Sequence, residues 1–471
     1  MKTINLLFLA FLFANPSFAQ CYSTVLNANN TIIARKHDGT LWARGYNSSG
    51  TVGNGAGSFV NTFIQIGSDS NWSDNISISS NMAFAIKTDN TLWVWGRPGN
   101  AAGIGNTDNT IYIVPTQVGT ESNWEKIATN GVKSHAIKSD GTLWSWGLNT
   151  DGGLGFGSVD SQYYTNVPIQ VGTENNWQDV YCGGTGSFAI KADGTLWSWG
   201  SKLSLAGYGN PLLNNAFSSP HQIGTDTNWR NVSTQNQMAI GLKTNGTIWG
   251  WGATQNSLFG NGTPNAALFY SNTPIQIGND TDWQQISLAM NTAVALKTNG
   301  TRWGWGYNST HDLGMGQGNN SQITFPTQLD SDTDWVYVTI DKNLGGGLGI
   351  KQNNSLYYWG GTYYLGQQGS YYVPTLLGST CSLNTISFQN QNAITVFPNP
   401  ANNIATIQFS EKTEIQFEFN IINILGQTIY TNEIKSIASE FPIDLTNYPS
   451  GAYFVTIKSN SKFYSLKLIK N

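Results

Sequence analysis

The motif Trp-x-Trp-Gly returns along the chain about every fifty residues, and this period constrains the fold more than any other feature. Aligned on its second Trp, the motif occupies positions 44, 95, 146, 199, 251, 305 and 359, at intervals of 51 to 54 residues. Arg44 stands in place of the second Trp in the first unit, and Tyr357 in place of the first Trp in the last. A lysine precedes the first aromatic by six residues in every unit: Lys36, Lys87, Lys138, Lys191, Lys243, Lys297 and Lys351. A third column follows Asn or Asp, at Trp72, Trp124, Trp177, Trp229, Trp283 and Trp335. Pro-x-Gln precedes that column in five units, at Pro115, Pro168, Pro220, Pro274 and Pro326. Three columns of six account for all 18 tryptophans, so Trp belongs to the repeat and not to one special site.

The unit reads as short strands. In AIKSDGTLWSWG, Asp140-Gly141 separates two apolar-rich runs, and Asx-Gly is a strong hairpin signal because both residues can take positive φ. Trp144 and Trp146 are two apart and share one strand face, while Leu143 lies on the other. Such a strand is covered on both sides, as in sheets stacked around a ring. The period and the strand content predict an all-β chain with a seven-bladed β-propeller. Stacking buries each unit against its neighbours, and the Trp columns are expected between blades. An exposed ladder for stacking sugars is the alternative.

The third unit, Trp146-Gly147-Leu148-Asn149-Thr150-Asp151-Gly152-Gly153-Leu154-Gly155-Phe156-Gly157, resembles the signature of the regulator of chromosome condensation repeat family, with the downstream Pro168 to Val171. The resemblance covers residues 21–385 and implies a seven-bladed propeller. Gly153 replaces the family's usual Gln, and its His-Ser pair is reduced to a reversed Ser134-His135. Nuclear members are nucleotide exchange factors for a small GTPase, an activity that an exported chain would have no partner for. Secreted bacterial propellers of the family, one of them a β-lactamase inhibitor protein, suggest protein binding through likeness of fold.

Both ends speak of export. Lys2, the apolar run Ile4 to Phe13 and Ser17-Phe18-Ala19 make residues 1–19 a signal peptide cut after Ala19; a lipoprotein reading of Cys21 is the weaker option. The apolar run is too short to span a bilayer, and no transmembrane segment follows. Cys21 and Cys381 come from the start and end of the ring at nearly the same place in the unit, which predicts a disulfide, leaving Cys182 as a buried thiol. Residues 386–393 read as a linker. Residues 394–471 then show short alternating strands, predicting a small immunoglobulin-like β-sandwich. They resemble the type IX secretion system C-terminal sorting domain. The matching motifs are Pro398-Asn399-Pro400, Asn423 with Leu425-Gly426-Gln427, Asp444-Leu445, Pro449-Ser450-Gly451 with Tyr453, and Lys467-Leu468-Ile469. The resemblance implies the type IX machinery as a partner, passage across the outer membrane, and release or surface attachment.

Chemistry is sparse. With net charge −4 and no basic block, the chain lacks the footprint that nucleic-acid binding needs. His37, His135, His221 and His311 lie in four different units, and no nucleophile signature appears, so no catalytic, cofactor or metal residue is assigned. Asp330, Asp332 and Asp334 invite a calcium loop but lack its glycine and distal Glu. The lysine column reads either as a charged ring or as solvated strand ends. The variable loops carry Tyr163, Tyr164, Phe269, Tyr270, Tyr363, Tyr364, Tyr371 and Tyr372, which read as binding anchors or as outer-strand packing. The expectation is a monomeric, non-enzymatic binding propeller for a protein or glycan, on the cell surface or in the medium. A propeller enzyme acting on extracellular polysaccharide is the alternative.

Overall fold

The computed structural model describes residues 22–378 and 394–471, apart from 56–58, 98, 106–109, 159–162, 185, 201–216, 236, 255–257, 263–268, 291, 309–310, 317–321, 342–345, 362–369, 410–414, 424–427, 437–439 and 460–461. It divides into two compact units, Met1–Ser379 and Thr380–Asn471. The sequence-derived boundaries at 19, 385 and 393 fall outside the described residues.

Among the described residues the first unit holds seven four-stranded antiparallel sheets, each made of four consecutive strands. The first blade comprises Tyr22–Ala28, Thr31–Lys36, Leu41–Tyr46 and Phe59–Gln65. The third comprises Trp124–Thr129, Lys133–Lys138, Leu143–Leu148 and Tyr164–Gln170. The first strands of neighbouring blades touch one another all the way round, including Tyr22–Ala28 against Trp335–Ile340 of the seventh blade. First strands therefore line the axis and fourth strands form the rim. Because no blade mixes strands from both chain ends, the ring closes through side chains. Tyr22, Val25, Ile32 and Ala34 pack against Leu348, Ile350, Leu356 and Tyr358, and Asn27 donates to the Gly346 carbonyl.

The Trp columns are interior. Trp146, Trp199 and Trp251 are at most 1 % exposed, which rules out a sugar-stacking ladder at these positions. The third-column Trp meets both motif Trp rings edge-on; in the third blade Trp124 lies 6.1 Å from Trp144 and from Trp146. The indole of the second motif Trp also reaches into the preceding blade. Trp95, Trp146, Trp199, Trp305 and Trp359 donate Nε1–H at 2.8–3.0 Å to the carbonyls of Thr51, Ala101, Gly153, Leu258 and Asp312. Close approach there demands glycine: a Cβ on Gly103 (φ +76°) would lie 2.8 Å from the Trp146 Nε1.

The Asx-Gly hairpins differ from expectation in one respect. Only the glycine takes positive φ, as at Gly141 (+78°). Gly141 N–H donates to the Lys138 carbonyl and Lys138 N–H to the Thr142 carbonyl. This is a three-residue loop, a type I turn followed by a left-handed glycine. Asp140 instead accepts from Thr142 N–H and Oγ1–H. The carboxylate cap leaves a normal φ at Asp140, so a two-residue turn is not needed.

The second unit is a sandwich. Ile394–Phe397, Ile404–Phe409 and Glu440–Asp444 form a three-stranded sheet. Thr428–Ser436, Ile415–Asn423, Gly451–Ser459 and Lys462–Lys470 form the facing four-stranded one, in that order. Ala405, Ile407 and Ile443 from the first sheet bury against Phe419, Val455 and Leu468 from the second.

Candidate functional site

The lysine column is neither a charged ring nor solvated. In the third blade, Lys138 Nζ stands 3.7 Å from the Trp144 ring centroid and 4.8 Å from that of Trp124, and pairs with Glu121 at 2.7 Å. Lys87, Lys191, Lys243, Lys297 and Lys351 repeat the arrangement with Asp69, Glu174, Asp226, Asp280 and Asp332. Each acid sits three residues before its Trp, on the connection from the previous blade. These lysines are clamps between blades, held by cation–π contact and a half-exposed carboxylate.

The aspartates of the calcium-like stretch are likewise used by cations of the chain. Asp330 accepts from Arg302 Nε and Nη2 at 3.0 and 2.8 Å, and Asp332 and Asp334 both pair with Lys351. Arg302 is fully enclosed, donates also to the Leu313 carbonyl, and stacks 4.3 Å from Trp359. Burial pulls the Arg302 pKa down, and Asp330 opposes that shift. Sequence spacing alone gave no reason to link Arg302 with Asp330.

His135 has the company of a hydrolase without its access. Its ring nitrogens meet Ser145 Oγ at 2.7 Å and Ser187 Oγ at 2.8 Å, with no solvent exposure. Ser187 donates to the Gly153 carbonyl, so it accepts from Nε2–H, and Ser145 donates to Nδ1. Burial, then the nearby Lys133 charge, holds the His135 pKa well below the imidazole range. The network ties the third blade to the fourth. Cys182 is a buried thiol, as the sequence predicts. Among the described residues no group of three or more His, Cys, Asp or Glu could hold a metal.

Most of the exposed large apolar side chains lie along the fourth strands and the chain leading into them. Tyr163 and Tyr164 are more than two-fifths exposed, and Tyr46, Phe59, Ile113 and Val114 are similarly exposed on the first two blades. Neighbouring rims are stitched together: Gly55 N–H donates to the Ile113 carbonyl and Gly105 N–H to that of Asn166. Other aromatics of the set are used for packing. Tyr371 meets Tyr358 at 5.9 Å, and Tyr372 meets His311 at 4.4 Å. Phe269 and Tyr270 lie in the strand Phe269–Gln276, with side chains outside the description, and Tyr363 and Tyr364 lie outside the described residues.

The seam between the seventh and first blades departs from all others. Tyr22 pairs in register with Lys36 where the other blades have Trp. The position three before it is Ala19, not an acid, and Lys36 stands 3.7 Å from the Trp42 ring with no ion pair among the described residues. Burial lowers the Lys36 pKa, and the Asp38 charge opposes this. Arg44 occupies the place of the second motif Trp. It is 8 % exposed, its Nε is enclosed without an acceptor, and its Cζ lies 5.6 Å from the Phe63 ring. Burial lowers its pKa, and Tyr371 opposes the shift. Cys21 and Cys381 lie outside the described residues.

In the sandwich, sorting-motif residues fasten the last strand and the turns. Asn399 Oδ1 accepts from Ile469 N–H at 2.8 Å, and Tyr453 Oη donates to the Pro449 carbonyl at 2.6 Å, just before Gly451. Lys470 Nζ donates to the Leu445 carbonyl at 2.6 Å. Pro398 and Pro400 flank Asn399, Lys467 lies in the last strand, and Gly426 and Gln427 fall outside the described residues.

Comparison with known proteins bears on both units. Residues 395–471 match the secretion system C-terminal sorting domain, and residues 140–190 match the regulator of chromosome condensation (RCC1) repeat. The chain carries an RCC1-type propeller and a secretion sorting domain. It is 24 % identical over 319 residues to the RCC1 domain-containing protein RUG3, mitochondrial, of Arabidopsis thaliana, spanning 65 % of this chain and 69 % of that one. The crystal structure of human WBSCR16 covers 72 % of this chain and 94 % of its own at TM-score 0.61 and 17 % identity. Yeast RCC1 (Prp20), solved bound to Kap60, covers 70 % and 80 % at TM-score 0.61 and 18 % identity. At these identities the two structures share the RCC1 fold and no more. The sorting domain marks a secreted or cell-surface protein. No helix among the described residues is long and apolar enough to cross a membrane.

Proposed function

We propose that this chain is a non-enzymatic binding propeller, delivered by the type IX secretion machinery and recognising a protein or glycan at the cell surface or in the medium. The observation that carries the reading is the rim: large apolar side chains, among them Tyr46, Phe59, Ile113, Val114, Tyr163 and Tyr164, stay exposed on the first three blades. Exposed aromatics on a rigid scaffold are effective anchors, since they bring much contact area at little entropic cost. Support for the export half comes from the sorting domain at 395–471.

The binding half is tested with the full chain on a glycan array and against the surface proteome, beside the Tyr163→Ala/Tyr164→Ala variant. Loss of a wild-type ligand with unchanged melting supports the rim; retention of every ligand sinks it. Turnover of an arrayed polysaccharide would favour the enzyme alternative. The export half is tested by deleting residues 394–471. The truncated chain should remain in the periplasm, and normal arrival at the surface would refute the assignment.

A further inference from the structure

We infer that Arg44 anchors a carboxylate presented by a protein partner at the seam where the seventh blade meets the first. This deepens the proposed function and rests on the reading of the propeller as a binding protein. At five other seams the same position is a Trp with one N–H, and one carbonyl of the preceding blade satisfies it. Arg44 brings a fixed charge and five donors into that place. A single carbonyl could meet one donor and would not neutralise the charge.

Arg302 shows how this chain treats an arginine enclosed for structure: a two-nitrogen grip on Asp330, a carbonyl, and an indole face. Arg44 has an aromatic face, Phe63, but among the described residues no hydrogen bond and no ion pair. The enclosed Nε–H of Arg44 is left without an acceptor, which is costly to the free protein. The cost is met when a ligand supplies the anion, and a planar guanidinium with a ring behind it fits a carboxylate in two-point contact.

The source of the carboxylate follows from charge. The chain carries a net charge of −4, and six lysines of the repeat are already paired with Asp69, Glu121, Glu174, Asp226, Asp280 and Asp332, so the field around the ring is not positive. That field does not attract a polyanionic glycan. A single acidic side chain set in an apolar protein surface avoids the repulsion, and exposed Tyr46 and Phe59 of the same blade offer the apolar surround.

The test compares the full chain with Arg44→Trp, which restores the residue of the other units and so preserves blade packing. The probe is a set of capped peptides in Glu and Gln versions, each with Leu and Tyr flanking the variable position. Wild type should retain the Glu peptides about tenfold or more over their Gln twins. Arg44→Trp should lose that preference while melting at the same temperature or higher. Arg44→Gln provides the same readout if the indole does not fit. Equal retention of both versions by wild type, or a preference that survives either variant, overturns the inference. A second arm uses oligogalacturonate: binding that Arg44→Trp abolishes, with no Glu preference among peptides, overturns the protein assignment in favour of an acidic glycan. If Tyr163→Ala/Tyr164→Ala loses a rim ligand while Arg44→Trp changes nothing, the binding propeller stands and the Arg44 inference falls.

Discussion

At the seam between the sixth and seventh blades, Arg302 stands where the other units carry Leu or Ile; at the seam between the seventh and first, Arg44 stands where they carry Trp. Both side chains are withdrawn from solvent. Arg302 is compensated by Asp330, and its seam keeps the full set of Trp335, Trp359 and Lys351 with two acids. The closing seam loses the third-column Trp, the acid before it, and the second motif Trp together. Lysine pKa directions record the same contrast. For Lys297 and Lys351 burial lowers the pKa, but paired aspartates outweigh it and the net shift is upward. For Lys36 burial prevails. The repeat is thus complete wherever a preceding blade supplies its partner, and it is relaxed where the ends of the ring meet. A relaxed seam is where a propeller can hold groups that serve something other than its own packing.

The comparison can be broken most directly at a regular seam. Trp146→Ala removes a fully buried indole and its bond to Ala101, and should cost about 3–5 kcal/mol in denaturant unfolding. Arg44→Ala should cost far less; equal costs would show that the closing seam is not relaxed. Asp330→Ala leaves Arg302 buried without its anion and should cost about 3–5 kcal/mol. A loss below about 1 kcal/mol would mean the pair does not matter to stability.

If the closing seam is weakly packed, a covalent tie there has most to contribute. Cys21 and Cys381 should be found linked by non-reducing peptide mapping, and reduction should lower stability by about 2–4 kcal/mol. Two free thiols in the exported protein would remove this tie. In the opposite direction, Arg44→Trp should stabilise the apo protein by about 1–2 kcal/mol, as return to a repeat's own pattern commonly does. A destabilised variant would show that Arg44 contributes to packing.

The smallest effect concerns pH. His135 is held neutral in the fold, so the unfolded chain binds a proton first as pH falls. Stability should therefore be intact above the ordinary imidazole pKa of about 6.5 and decline below it by up to about 1.4 kcal/mol per pH unit from this group. His135→Gln should flatten that slope in a series of melts from pH 7.5 to 5. An unchanged slope would assign the acid sensitivity to other groups.

Much of this was legible in the chain. Trp144, Trp146 and Leu143 announce a strand covered on both faces because side-chain direction alternates locally. The Asp140-Gly141 pair announces a hairpin, although the carboxylate cap on Thr142 selects a three-residue loop. Order and spacing of motifs from Pro398 to Ile469 announce the sorting domain. The lysine column was visible as a pattern and misread in role, since its acid sits seventeen residues earlier for Lys138 and its rings lie on two strands.

Sequence by itself determined the number of units, their strands, the Trp columns and the two-part organisation, because each follows from short-range periodicity repeated many times. Tertiary structure alone decided which cations found anions. The Trp146 indole meets a carbonyl 45 residues away, Arg302 meets an aspartate 28 residues away, and Arg44 meets none among the described residues. Those outcomes depend on how one blade's face lies against the next, and no local spacing encodes the packing of two faces brought together only when the ring closes.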